Sequence, residues 1–343
     1  MARIKNYTEE NRKGYTVKGG KLVVFSDTHF SSTFQGKHIS YIEECYFNMD
    51  RMLSIVKEVK PVAVFLLGDI IGVKERNLRD HQFLMRVIMF FGSLYSLTNG
   101  NVYTVKGNHD IGDFSDFDFI VGLGYLKNPL YVDFVGDHGV EVRFHFVNYG
   151  DEKKKLEINQ EASNIVLGHN DYYIDGVTNW YSRKSKLNLE LKNLNNFCGV
   201  DLVLSGHIHA PSEEVLYAVL PDGESIGLFY LGSPARVAER FDDCWYVVFE
   251  YSKESNSTTY DARLFGLKNA SEVFYSEDSY KYLEGDPEEL EKEERRKDVL
   301  NEIITEVINS RLAIGNVFEQ IERLPAKQRV KEIAKEYLKE AVD

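Results

Sequence analysis

Two rhythms of apolar and polar positions alternate along the first third of the chain. Residues 21–27 (KLVVFSD) are a short apolar run, rich in β-branched side chains, that stops on an acid. That is the pattern of a buried strand. Over 41–60 the apolar positions Tyr41, Ile42, Cys45, Met49, Met52, Leu53 and Val56 recur every three or four residues. This predicts a helix with one buried face, ended by Pro61. Residues 61–69 (PVAVFLLGD) read as a second buried strand, 78–97 as a second helix, and 101–110 (NVYTVKGNHD) as a third strand running into a polar turn. This order argues for parallel pairing with helices covering the sheet. Further strands are predicted at 139–148, 163–167, 201–205, 226–231 and 244–251. They are closely spaced, so the second half should be richer in β-structure. The expected fold is α/β, with two β-sheets packed face to face and helices outside.

The two ends break this rhythm. Residues 1–20 are polar, end in Gly19-Gly20, and read as an N-terminal arm or irregular edge. The main domain is expected over 21–266. Residues 267–286 are polar with scattered aromatics and read as a linker or docking segment. Residues 287–343 are rich in Glu, Lys and Arg, and Val299, Leu300, Ile303, Ile304, Val307, Ile308 and Leu312 draw a narrow stripe near heptad spacing. Gly315 interrupts that stripe and Pro325 breaks it. Val330, Ile333, Ala334, Tyr337 and Leu338 begin another helix, so a C-terminal helical tail is expected.

Composition narrows the classes. With 343 residues, 43% hydrophobic and 28% charged, a wholly disordered chain is ruled out. A net charge of −13 argues against attachment to nucleic acid by bulk positive charge, though a local patch or a metal could still attract phosphate. The apolar runs are too short to span a bilayer, and the start, MARIKNYTEE, lacks the apolar core of a signal peptide. Three widely spaced cysteines (Cys45, Cys198, Cys244) build no disulfide framework and no CxxC zinc site. A cytoplasmic location, without membrane attachment, is therefore expected. The glycosylation patterns at Asn256 and Asn269 are expected to be unused.

Five polar clusters each follow a predicted strand: Asp27-Thr-His29, Gly68-Asp69, Gly107-Asn108-His109-Asp110, Gly168-His169 and Gly206-His207-Ile208-His209. They hold most of the nine histidines. Loops beyond the carboxyl ends of strands build the sites of open α/β sheets. Carboxylates, imidazoles and one amide carbonyl make a mixed N/O donor set without thiolate, which suits manganese, iron, zinc or cobalt better than calcium or copper. The set is large enough for two ions about 3.5–4 Å apart, bridged by one carboxylate, that could clamp a phosphate and activate a water. Each cluster alone has a bland reading: a strand-end cap, a turn, a hydrogen-bonded histidine, or imidazoles on one side of a strand. Their joint occurrence does not. His38, His81, His138 and His145 fit no cluster and read as structural, with His145 expected to be buried.

These motifs, in this order over about residues 21–251, resemble those of the calcineurin-like metallophosphoesterase superfamily. The resemblance implies a four-layer sandwich with the catalytic domain over 21–266. It implies one metal on Asp27, His29 and His209, a second on Asn108, His169 and His207, and Asp69 bridging both. A metal-bound hydroxide would attack phosphorus. His109 matches the catalytic histidine, a proton donor or charge stabiliser near the leaving oxygen. Asp110 would hold its imidazole in the useful tautomer. Two divalent ions are implied, manganese foremost, with iron, zinc or cobalt as alternatives.

Within the superfamily the chain is most similar to SbcD-type DNA nuclease subunits of bacteria and phages. The long segment between the first two motifs, the turn Tyr230-Leu-Gly-Ser-Pro-Ala-Arg236 and the charged helical tail carry this likeness. It implies DNA as substrate and a partner, an SbcC-type coiled-coil ATPase, docked on 287–343; the tail could equally pack on its own domain, and a homodimer is compatible. Two departures stand out. Those nucleases often carry a second histidine three positions after the bridging Asp, where this chain has Gly72. They also insert a sizeable cap, for which only 267–286 remains. Candidate phosphate contacts are Lys106, Arg183, Lys184, Lys186 and Arg236, and Tyr172, Tyr173, Trp180 and Tyr181 could stack bases or pack in the core. A phosphatase or small-molecule phosphodiesterase is the alternative activity. A non-enzymatic scaffold is disfavoured because every ligand position holds a competent residue.

Overall fold

A computed structural model describes residues 12–31, 40–72, 81–111, 116–174, 189–235 and 243–267. The chain divides into two units, Met1–Ser276 and Glu277–Asp343, and everything described lies in the first. The expected tail, nearly all of the linker, Arg183, Lys184, Lys186, Arg236, Trp180 and Tyr181 lie outside the described residues.

The first half builds a five-stranded sheet. Its parallel centre is β2 (Lys21–Phe25), β3 (Ala63–Leu66) and β4 (Val102–Thr104), joined by α1 (Ser40–Val59) and α2 (His81–Leu97). Antiparallel β13 (Trp245–Ser252) and β14 (Ser257–Leu264) complete it in the order β14-β13-β2-β3-β4. The strands read as unbroken apolar runs because both faces are buried. Val23, Phe25, Val64 and Leu66 face Met49, Met52, Phe90 and Phe91 of the helices. Leu22, Val24 and Phe65, at the alternate positions, face the second sheet.

That second sheet has seven strands. Their order is β1 (Tyr15–Lys18), β5 (Tyr131–Val135), β6 (Val140–Val147), β7 (Ser163–His169), β10 (Leu202–Gly206), β12 (Ser225–Tyr230) and β11 (Leu216–Val219). Phe144, Phe146, Leu204 and Phe229 point at the first sheet, so the two lie face to face around one apolar core. The outer face, bearing Val166, Val203, Leu228 and Tyr230, packs on Tyr172, Leu191 and Phe197. These come from the short pair β8 (Tyr172–Tyr173) and β9 (Leu189–Glu190) and from two 3-10 turns, so among the described residues no long helix covers this side.

Several elements depart from expectation. Tyr15–Lys18, expected as arm or irregular edge, is a regular edge strand paired in parallel with β5. A short helix α3 (Asp116–Gly122) and strands β5, β11 and β14 were not anticipated. Tyr172 and Tyr173 are buried, so they pack rather than stack bases. Lys106 Nζ is 2.9 Å from Asp118 Oδ1 and sits over the Phe117 ring, tied to α3 rather than offered to phosphate. His145 is 2% exposed, buried as its alternating strand suggested. Among the described residues no helix is long and apolar enough to cross a membrane.

Candidate metal centre

Five strands from two sheets end at one place. Asp27 and His29 follow β2, Asp69 follows β3, and Asn108, His109 and Asp110 follow β4. His169 is the last residue of β7, in register with Gly206, the last of neighbouring β10, after which come His207 and His209. The predicted residues are therefore brought together from both layers.

Backbone hydrogen bonds stitch these loops. His29 N–H donates to the Asp69 carbonyl (2.8 Å) and Phe30 N–H to that of Ile70 (2.9 Å). His207 N–H donates to Asp27 Oδ1 (2.9 Å) and His109 N–H to Asp69 Oδ1 (2.8 Å). Gly107 is required where it lies, because a Cβ there would collide with the Asp69 backbone and carboxylate. Asp27 (φ 41°), His29 (41°), Asp69 (45°) and His207 (77°) all occupy the left-handed region. Each such position costs on the order of 1 kcal/mol or more, and strain of this kind collects where side chains must be aimed.

The aimed atoms converge. Asp69 Oδ2 lies 3.2 Å from His169 Nε2, 3.6 Å from His29 Nε2 and 3.9 Å from His109 Nε2. Asn108 Oδ1 lies 3.1 Å from His169 Nε2 and 2.9 Å from His207 Nδ1. His29 Nε2 and His209 Nε2 face each other at 3.0 Å. Among the described residues, three groups have ligand atoms close enough to hold one ion each: Asp27, His29 and His209; Asp69, His169 and His207; and His29, Asp69 and His109. The first holds the residues expected for one ion; the second joins His169 and His207, expected for the other, with Asp69, and Asn108 Oδ1 lies beside both of those imidazoles. The third puts His109, expected only as a proton donor or charge stabiliser, within ligand distance as well.

The donor chemistry fits cations. His169 Nδ1 lies 2.6 Å from the Leu67 carbonyl, which can only accept, so Nδ1 carries a proton, and in the neutral ring Nε2 is the nitrogen that offers a lone pair on the side of Asp69 and Asn108. Acceptors facing acceptors at this range call for a positive charge between them. Where no cation is bound, a proton on an imidazole supplies that charge. Burial alone would lower His169, yet the charges of Asp69 and Asp27 push it up to about 10. Burial would raise Asp69, but His169 and His29 hold it below the usual carboxylate range. Burial raises Asp27, and it lowers His29 and His209, keeping both imidazoles neutral and able to donate lone pairs.

Asp110 does not do what was expected of it. Its carboxylate is buried and accepts from the backbone N–H groups of Gly107 (2.9 Å), Ile70 (3.1 Å) and Ile71 (3.4 Å). Among the described residues, His109 Nδ1 has no hydrogen-bond partner. Asp110 thus pins the Gly-Asp loop to the Gly-Asn-His-Asp loop and leaves the imidazole alone. Burial and the nearby Asp69 charge push its carboxyl up to about 7.

Gly72 also has a steric reason. A Cβ there would stand 2.7 Å from the His29 carbonyl oxygen, so no second histidine fits on this backbone. Other contacts were not read from the sequence. Ser26 Oγ donates to Asp27 Oδ2. Ser233 Oγ, of the Gly-Ser-Pro turn, donates to the Asp27 carbonyl at 2.8 Å, and Asn48 of α1 holds the Pro234 carbonyl at 2.7 Å. Asp171 Oδ1 lies 2.9 Å from His207 Nε2, and the Tyr149 ring lies beside that imidazole with centroids 5.6 Å apart. Only the position of Asp171, two residues after His169, could have flagged it.

Fold and centre together gather imidazoles and carboxylates in a donor set suited to divalent cations. The calcineurin-like phosphoesterase family matches residues 20–211, more than half of the chain, and the chain belongs to that family. No curated protein matches it. Among solved structures, a dimetal phosphatase from Danio rerio is similar at 10% identity and a TM-score of 0.43, covering 73% of this chain and 99% of that one. An NAD nucleotidase from Haemophilus influenzae is similar at 14% identity and a TM-score of 0.39, covering 71% of this chain and 55% of that one. The protein TT1561 of Thermus thermophilus is similar at 11% identity and a TM-score of 0.39, covering 72% of this chain and 99% of that one. At these scores the family match alone carries the assignment.

Proposed function

We propose that the protein is a DNA nuclease subunit that hydrolyses phosphodiester bonds and works with an SbcC-type ATPase docked on residues 287–343. The observation that carries the hydrolytic part is the ring of lone pairs around Asp69 Oδ2 and Asn108 Oδ1, which a pair of divalent cations, manganese foremost, would satisfy. Asp27, His29 and His209 would hold one ion, Asn108, His169 and His207 the other, and Asp69 would reach both. When bound, such ions bind phosphate oxygens and lower the pKa of water.

The chain's own groups do the rest. His109 is 32% exposed in its side chain, so its imidazole is open to solvent beside the centre, where it would donate a proton to the leaving oxygen or stabilise its charge. Its backbone N–H, bonded to Asp69 Oδ1, ties the position of that proton to the bridging carboxylate. Asp110 keeps the two loops in register. Support for DNA as substrate comes from the Gly232-Ser233-Pro234 turn, the feature shared with SbcD-type nucleases, which here buttresses Asp27 directly.

Manganese-dependent cleavage of linear and single-stranded DNA, assayed with and without residues 287–343, tests the proposal. Cleavage by the chain, altered by the ATPase only when the tail is present, is expected. Ready turnover of a small phosphate ester with no DNA cleavage under any divalent metal would overturn the nuclease reading. It would favour the second one, a phosphatase or small-molecule phosphodiesterase, for which the closed Gly72 position and the buried Tyr172 and Tyr173 speak.

A further inference from the structure

Among the described residues, His207 is the imidazole of the centre that faces a carboxylate outside the expected ligand set. Nε2 stands 2.9 Å from Asp171 Oδ1, while Nδ1 stands 2.9 Å from Asn108 Oδ1 on the opposite edge of the ring. The two side chains are about equally accessible, 21% for His207 and 20% for Asp171, so the pair lies at the rim rather than in the core. Tyr149 lies beside the ring, with centroids 5.6 Å apart and planes at 45°. A neutral imidazole has one N–H and one lone pair, and the partner of one nitrogen decides which end carries which. An ionised carboxylate can only accept.

We propose that Asp171 is a positioning residue that fixes the Nε2–H tautomer of His207 and so turns the Nδ1 lone pair toward Asn108 and the cation site. This rests on the reading of His207 as a ligand of the second ion. His169 reaches the same end by a different device, its Nδ1–H held by the Leu67 carbonyl and its Nε2 left to bind. The two imidazoles of the second set therefore offer opposite nitrogens, each because the other nitrogen is spoken for. Outer partners of this kind set ring orientation and ligand basicity, and their loss costs about 10–100-fold in metal affinity.

The test uses the full chain and manganese alone as the probe. In the metal-free protein, long-range proton–nitrogen NMR of the histidine rings, assigned with His207→Gln, should show His207 as the Nε2–H tautomer. Asp171→Ala should lose that preference, and calorimetric titration should show one of the two manganese sites weakened by about 10–100-fold with the other unchanged. Asp171→Asn, whose side-chain oxygen still accepts the Nε2 proton, should recover most of the affinity. A merely structural Asp171 would lower the melting temperature of the variant and leave tautomer and affinity alone; that result overturns the proposal. So does an Nδ1–H tautomer in the wild-type chain, which needs no variant to be read. Wild-type manganese binding that His207→Ala leaves intact would overturn the ligand reading itself, whereas sensitivity to His207→Ala with indifference to Asp171→Ala overturns only the present inference.

Discussion

Asp69 shows how one side chain can organise a centre. Its Oδ1 is occupied by the His109 amide, which leaves Oδ2 to face three imidazoles. On the two-ion reading proposed above, Asp69→Ala should lose both ions in a calorimetric titration with manganese. His109→Ala should keep both and lower kcat by about 10²–10⁴-fold. Because His109 also lies in a ligand-capable group with His29 and Asp69, the titration is decisive: loss of an ion in His109→Ala would make it a ligand rather than a proton donor. Away from the centre, His145 links stability to pH. Burial holds its imidazole below the ordinary value of 6.5, despite a hydrogen bond to Asn164 Oδ1 at 3.1 Å. On acidification the unfolded chain takes up a proton near pH 6.5 that the folded chain refuses. Its contribution is thus whole above about pH 6.5 and is lost as pH falls through the folded value. Urea unfolding from about pH 7.5 to 5 should show this decline, and His145→Gln should flatten it.

At the scale of elements, the centre is a set of loops held by backbone contacts. Asp110 joins two of them through three amides. Asp110→Ala should cost about 1–3 kcal/mol in urea unfolding, and Asp110→Asn less, because its oxygen still accepts. Gly72→Ala presses a methyl against the His29 carbonyl and should cost about 1–3 kcal/mol while weakening manganese binding. Much of this level was legible beforehand. Strands β2, β3, β4, β7 and β10 are buried on both faces, so their apolar runs stand out and their ends mark where the ligands must lie. Edge elements were harder. Lys18 in β1 and much of β14, with its sequence STTYDARL, face solvent and carry few apolar positions to count. The roles of Asp110 and Asp171 depend on which loop each meets across neighbouring strands, a matter of register that no motif records.

The molecule as a whole is acidic, with a net charge of −13, and gathers two buried carboxylates among its imidazoles. Cations binding there stabilise the folded state by mass action, about 2.7 kcal/mol per site at a hundred times the Kd. Manganese should thus raise Tm by several degrees, and a chelator should reverse the gain; an unmoved Tm would contradict cation binding at this place. The family match covers residues 20–211, which take in every residue of the centre.

The centre also straddles the seam between the layers. Asp27, His29, Asp69 and Asn108 hang from the five-stranded sheet, and His169, His207 and His209 from the seven-stranded one, with Phe65 against Phe144 (5.1 Å) and Phe144 against Phe249 (4.9 Å) gripping between them. A slip of one layer past the other would carry almost half the cage away. Cations held there would therefore favour the aligned arrangement of the two layers, riveting one sheet to the other.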